Sequence, residues 1–208
     1  MPATSPASTV IHPAVVRITH WINALAVICM IMSGWAIYDA SPLFGFSFPH
    51  WATLGGWLGG ALAWHFAAMW VFAINGLAYC LHGLVSGHFR FDLLPIRAQV
   101  LVRDFGLAFT FRLHHRLGVY NSVQRLTYVG VLLLGIAAVA SGLSIWKPVQ
   151  LDWLVDVFGG YEFARRIHFS AMTGIVLFLA LHLLLVAIVP STLLPMIRGT
   201  VDAARGGP

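Results

Sequence analysis

An ionisable side chain inside a bilayer is costly and is kept there for a purpose. The stretch 166–186, "RIHFSAMTGIVLFLALHLLLV", carries two such groups, His168 and His182, in an otherwise apolar run. Their fourteen-residue separation is close to four helical turns, so both project from one face, about 21 Å apart along the axis. That distance covers most of a ~30 Å hydrocarbon core. One helix therefore offers a ligand near each membrane face. Two further histidines fall inside other apolar runs: His20 in the opening turns of the first, and His65 within "GGALAWHFAAMW" of the second.

With alternating helix directions, His20 and His182 share one half of the bilayer, and His65 and His168 the other. Two facing imidazoles are what a six-coordinate b-type haem requires, each giving one nitrogen to the iron while the macrocycle lies between helices. Two such haems would form a wire across the membrane. No C-x-x-C-H motif is present, so no thioether attachment is expected. A four-coordinate zinc site would need further Cys, His or carboxylate ligands at each level, which the spans lack. Gly34, Gly55, Gly56, Gly59, Gly60, Gly142 and Gly174 either let a porphyrin approach the backbone or serve ordinary helix packing. His12, His50, His82, His88, His114 and His115 read as solvated or interfacial. His82 lies about 25 Å along its helix from His65, too far to meet His168. The competing reading is that the four histidines are hydrogen-bonded core groups or a proton pathway in a transporter or passive anchor.

The elements that must position them are apolar helices. Of the 208 residues 59% are hydrophobic and only 9% charged, outside the range of soluble domains. Runs 18–38, 40–89, 126–146 and 167–197 contain no Asp, Glu, Lys or Arg, and each can supply the ~20 residues of a span. The predicted fold is an all-α integral membrane protein: one domain over 1–208, a four-helix transmembrane bundle with helices about 15–38, 53–84, 120–146 and 163–189. Pro42, Gly45 and Pro49 make 40–52 a loop rather than a fifth helix. A polar start, 1–13, and a first apolar run of full spanning length argue against a cleaved signal peptide. Cys29 and Cys80 both fall within spans, where no oxidised pair is expected.

The net charge of +5 reads as topology, not nucleic-acid binding. Arg17 precedes the first helix, Arg90, Arg97, Arg103, Arg112, Arg116 and Arg125 fill a connector at about 85–119 and the start of the third helix, and Arg198 and Arg205 follow the fourth. The other side has Lys147, Arg165 and Arg166 against Asp152, Asp156 and Glu162. The positive-inside rule puts both termini and the connector in the cytoplasm of a bacterial inner-membrane protein, with Trp35, Tyr38, Trp51, Trp146 and Trp153 as the belt at the opposite face. Within the connector, 95–117 mixes Arg with Phe, Leu and Val, as a surface-lying segment or a plain basic loop would. A faint echo links "MSGWAIYDASP" in the first helix to "ASGLSIWKPVQ" in the third, setting Tyr128 where His20 stands.

This layout, with "RITHW" opening the first helix, "YNSVQRLTYVGVLLLG...SGLSIWKP" along the third and the paired histidines of the fourth, resembles the bacterial di-haem b-type cytochromes. That superfamily takes in b561-type cytochromes, nickel-iron hydrogenase cytochrome b, formate dehydrogenase gamma subunits and thiosulfate reductase cytochrome b subunits. The third helix looks most like the last two branches. The resemblance implies a membrane electron-transfer subunit with two b haems, ligated by His20/His182 and His65/His168, exchanging electrons between the quinone pool and an outward-facing molybdopterin or nickel-iron oxidoreductase. It implies quinone contact at Asn121 and Gln124, for which the plain alternative is a helix cap. Arg17 and Arg166 are candidate propionate partners, or else interfacial anchors. A stand-alone b561-type enzyme, such as a superoxide:quinone oxidase, is the alternative function.

Overall fold

The computed structural model describes residues 8–10, 13–94, 96–109, 121–190 and 193–202. Four long helices carry it: α1, Ala14–Ala40; α2, Leu58–Val85; α4, Ser122–Trp146; and α6, Tyr161–Ile188. All four are long and apolar enough to cross a membrane, and the protein is an integral membrane protein. At 25 to 28 residues each helix is about 38–42 Å long, more than the hydrocarbon thickness, so its ends reach the interfaces.

The helices pack as two antiparallel hairpins, α1 along α2 and α4 along α6. Their inner faces are mostly small: Ala26 and Ser33 on α1, Ala61 and Ala68 on α2, Ser141 and Ser144 on α4, and Ala164 and Ala171 on α6 are buried, with Ile31 and Tyr38 of α1 the larger exceptions. Their outer faces carry Leu25, Ile74, Leu133 and Leu177, all exposed. Large residues facing lipid and small ones facing neighbours let helix backbones approach where lipid supplies no hydrophobic drive between them.

Glycine sets both hairpin loops. Gly55 and Gly56 have φ of 114° and 71°, a region side chains avoid. They start α2 at Leu58, later than the apolar pattern alone suggests, while the Leu54 N–H bonds back to the Met32 carbonyl at 3.1 Å. Gly159 and Gly160, at φ of 80° and 105°, follow the short helix α5, Asp152–Val157, and send α6 back through the bundle. At the opposite end, strands β1, Ser8–Val10, and β2, Thr200–Asp202, pair antiparallel, and the short helix α7, Leu193–Arg198, touches α1. The first and last described segments therefore meet at one end of the bundle, the terminal end; the hairpin loops form the loop end.

The connector holds a π-turn at Phe89–Leu93 and α3, Ala98–Phe109; its stretch 110–120 lies outside the described residues, as do His12, Arg112, His114, His115 and Arg116. On α3, Val102 and Phe105 are exposed and Asp104 is buried. Its carboxylate accepts the Ser122 backbone N–H at 3.1 Å and the Arg103 guanidinium at 3.3 Å. Burial alone would raise the Asp104 pKa, but these hydrogen bonds and the Arg103 charge bring it below the ordinary carboxyl value. A carboxyl with a lowered native pKa stabilises above its unfolded pKa, and that contribution is lost as pH falls through the native one. Protection of the Ser122 amide against hydrogen exchange, measured against the unstructured rate at the same pH, is therefore expected to fall as pH drops below the ordinary carboxyl range and through the lowered Asp104 pKa, and in Asp104→Ala to be low at every pH.

Candidate functional site

The hairpins face each other across two histidine pairs. At the terminal end the His20 ring on α1 stands 6.1 Å, centroid to centroid, from the His182 ring on α6, with the planes 61° apart. Nearer the loop end the His65 ring on α2 stands 6.3 Å from the His168 ring on α6, the planes 70° apart. Two imidazoles that share one metal ion, each bonded at about 2.0–2.1 Å, have ring centres roughly 6 Å apart. Each pair thus has the spacing of two axial ligands on one ion. Among the described residues no group of three or more His, Cys, Asp or Glu gathers as a metal site, so neither pair is extended toward a tetrahedral set.

The loop-end pair is anchored by serines. Nδ1 of His168 lies 3.0 Å from the Ala138 carbonyl and 3.2 Å from Ser141 Oγ. Nδ1 of His65 lies 3.1 Å from Ser33 Oγ. Gly34 and Gly142 sit against the same rings: a Cβ on them would come within 3.4 Å of His65 Cε1 and 3.1 Å of His168 Cε1. These two glycines make room for the histidine rings, whereas Gly174 faces Leu134, and Gly55 and Gly60 lie backbone to backbone. Serine 33 and serine 141 escaped the sequence reading as site residues, although the "SG" shared by the two echoing segments was the signal that could have found them.

At the terminal end His20 lies edge-on to Trp21 at 5.3 Å, and His182 stacks on Phe178 at 5.9 Å. Arg17 gives Nη1 to the Ile197 carbonyl of α7 at 2.6 Å, while its Nε is buried without a hydrogen-bond partner among the described residues. Trp21 Nε1 donates to the Met196 carbonyl at 3.3 Å. Arg17, Ile18, Trp21, Leu25, Met196 and Ile197 line a groove of about 510 Å³.

Asn121 and Gln124 form a capping box at the start of α4. Asn121 Oδ1 accepts the Gln124 N–H at 2.9 Å, and Gln124 Oε1 accepts the Asn121 N–H at 3.1 Å. Both side-chain oxygens are thus used within the helix end, and only the amide NH₂ groups remain as donors to anything else. Arg166 leaves α6 two residues from His168, hence from another side of the helix; it is exposed, with its guanidinium 5.9 Å from the Phe163 ring. Its neighbour Arg165 is tied to the Ser41 carbonyl and hydroxyl at 2.5 and 3.2 Å and to Glu162 at 3.4 Å.

Residues 11–199 match the family described as prokaryotic cytochrome b561. A relative from Azospira oryzae, named as a protein-methionine-sulfoxide reductase subunit, YedZ1, is 48% identical over 190 residues, covering 91% of this chain and 96% of the relative. A relative from Cupriavidus necator, named as a Ni/Fe-hydrogenase B-type cytochrome subunit, is 26% identical over 192 residues, covering 84% of this chain and 77% of the relative.

Proposed function

Because the chain belongs to the prokaryotic cytochrome b561 family, whose cytochromes bind b-type haem, we propose that it is the di-haem membrane subunit of a respiratory oxidoreductase complex. The single observation that carries this reading is the pair of imidazole couples at two depths, 6.1 and 6.3 Å between ring centres. His20 and His182 would hold one haem and His65 and His168 the other. Bound haems supply one-electron transfer between two levels of the membrane. The chain supplies the ligands, their orientation and the apolar surroundings.

On this reading the terminal end is cytoplasmic, since it carries Arg17, Arg198 and the Arg-rich connector, and the loop end is outer. The buried Nε of Arg17, without a partner among the described residues and one turn from His20, suits a haem propionate, which would offer it an acceptor. Arg166 leaves α6 on a different side from His168, so its support for an outer propionate is weaker. A lipid-soluble quinone would exchange electrons at the terminal end, where the groove beside Trp21 and His20 offers an apolar approach.

The partner would be an outer-face oxidoreductase of molybdopterin or nickel-iron type. The name of the 48% identical relative favours a reductase acting on oxidised methionine in proteins. In that direction quinol gives two electrons and two protons, and the partner's sulfoxide takes two of each to yield thioether and water. The first experiment is the haem-to-protein ratio of the detergent-purified chain by pyridine haemochrome: two b haems per chain are expected, and a haem-free chain made with ample haem would overturn the reading.

Asn121 provides a separate test of the quinone contact. Asn121→Asp keeps the capping oxygen, since Asp and Asn cap equally well, but removes the amide donors. If the NH₂ group binds a quinone carbonyl, quinol-driven haem reduction slows several-fold with thermal stability unchanged. If Asn121 serves the cap alone, the rate stays at the wild-type value, and only Asn121→Ala has an effect, a loss of about 0.5–2 kcal/mol of stability.

A further inference from the structure

The two helical hairpins repeat one local arrangement around the loop-end histidines. On α1, Ser33 Oγ donates to the Cys29 carbonyl at 2.6 Å and meets His65 Nδ1 of α2 at 3.1 Å. On α4, Ser141 Oγ donates to the Ala137 carbonyl at 2.6 Å and meets His168 Nδ1 of α6 at 3.2 Å, with the Ala138 carbonyl at 3.0 Å. In each case the serine uses the carbonyl four residues back and the following glycine, Gly34 or Gly142, faces the ring; at His168 the ring also uses the carbonyl three back. Both serines are wholly buried.

The chemistry fixes a tautomer. A serine hydroxyl has one proton, and each of these is directed at its own helix, so toward the imidazole the oxygen can only accept. A carbonyl can only accept as well. Nδ1 of His65 and His168 must therefore carry the ring proton, which leaves Nε2 of both rings as the unprotonated nitrogen available to a metal. The match extends in register. His20 lies thirteen residues before Ser33 as Tyr128 lies before Ser141, and His182 lies fourteen after His168 as Tyr79 lies after His65. The two halves have thus kept the serine, glycine and histidine at the loop end while differing at the terminal end.

We propose that Ser33–Gly34 and Ser141–Gly142 are a duplicated positioning device, each setting the tautomer and ring rotation of the histidine on the next helix so that the two Nε2 atoms face one haem iron. This rests on the di-haem reading above. Ser33 and Ser141 are positioning residues, acting through the histidines. Acceptors on Nδ1–H raise the electron donation of the ring to the iron and favour the ferric state, so removing one raises the potential of that haem alone.

The test uses the full-length chain in detergent, with redox titration of both haems and low-temperature EPR of their ferric forms. Ser33→Ala and Ser141→Ala are expected to keep two haems per chain, to raise the midpoint of one and the same haem, and to leave the other unmoved. Ser144→Ala is the control: it is as buried, gives its hydroxyl to the Ser141 carbonyl at 2.7 Å, and should shift neither haem. Gly142→Ala forces the His168 ring to turn and should alter the EPR g-anisotropy of that same haem, more than Gly34→Ala does. Two intact haems with Ser33→Ala and Ser141→Ala indistinguishable from Ser144→Ala, or with both haems shifted alike, overturn the proposal and leave the di-haem reading standing. A haem-free wild-type chain overturns both.

Discussion

His182→Ala is expected to leave one haem per chain, with quinol no longer able to reduce it. The ring of His182 sits 6.1 Å from that of His20, and no third imidazole, thiol or carboxylate gathers with them among the described residues. An alanine at 182 thus leaves a single axial ligand for a group that six-coordination would hold from both sides. The haem retained should be the one between His65 and His168, since that pair lies about 21 Å away along α6 and has its own anchors on α1 and α4. Pyridine haemochrome gives the ratio, and stopped-flow mixing with a quinol analogue gives the reduction. Two haems in His182→Ala would refute the pairing. One haem reduced by quinol at the wild-type rate would instead move the quinone site to the other end.

Sequence reading reached the four helices because length, hydropathy and missing charge are local properties: each helix of 25 to 28 residues holds a long window of high hydropathy with few or no charges. Helix starts were less legible. The apolar run gives no reason to begin α2 at Leu58 rather than near Thr53; the reason is the left-handed backbone at Gly55 and Gly56. The depth match of the histidines was legible because helix rise converts sequence separation into level in the membrane, whereas which of them face each other depends on how the helices pack. The anchors were not reachable in the same way. Ser33 and His65 are thirty-two residues apart and Ser141 and His168 twenty-seven, and which faces of two helices meet is set by packing, not by either helix's own pattern. The weak echo of "SG" between α1 and α4 was visible, but its meaning depends on the partner helix.

Asn121 and Gln124 show the converse. Their spacing at the head of α4 is that of a capping box, and they form one. A quinone role for them has to rest on the remaining amide protons. Arg17 and Arg166 look alike as basic residues near a histidine, yet one has a buried Nε without a partner among the described residues and the other is exposed. Three residues on a helix return to nearly the same face and two do not, a distinction available in the sequence once the helix is accepted.

The second large effect concerns the histidine pair nearer the loop end. His168→Ala should also leave one haem, but quinol should still reduce it at close to the wild-type rate, because His20 and His182 are untouched. What should fail is delivery: an acceptor at the loop end, reached in wild type through the His65/His168 level, should no longer be reduced. His182→Ala blocks entry and His168→Ala blocks exit, so the two variants differ in the oxidation state in which the remaining haem accumulates under turnover. Oxidised haem is expected in the first and reduced haem in the second, a contrast that absorbance at the reduced b-haem band reads directly. A chain acting alone with its acceptor at the terminal end would behave otherwise, since His168→Ala would then keep its turnover.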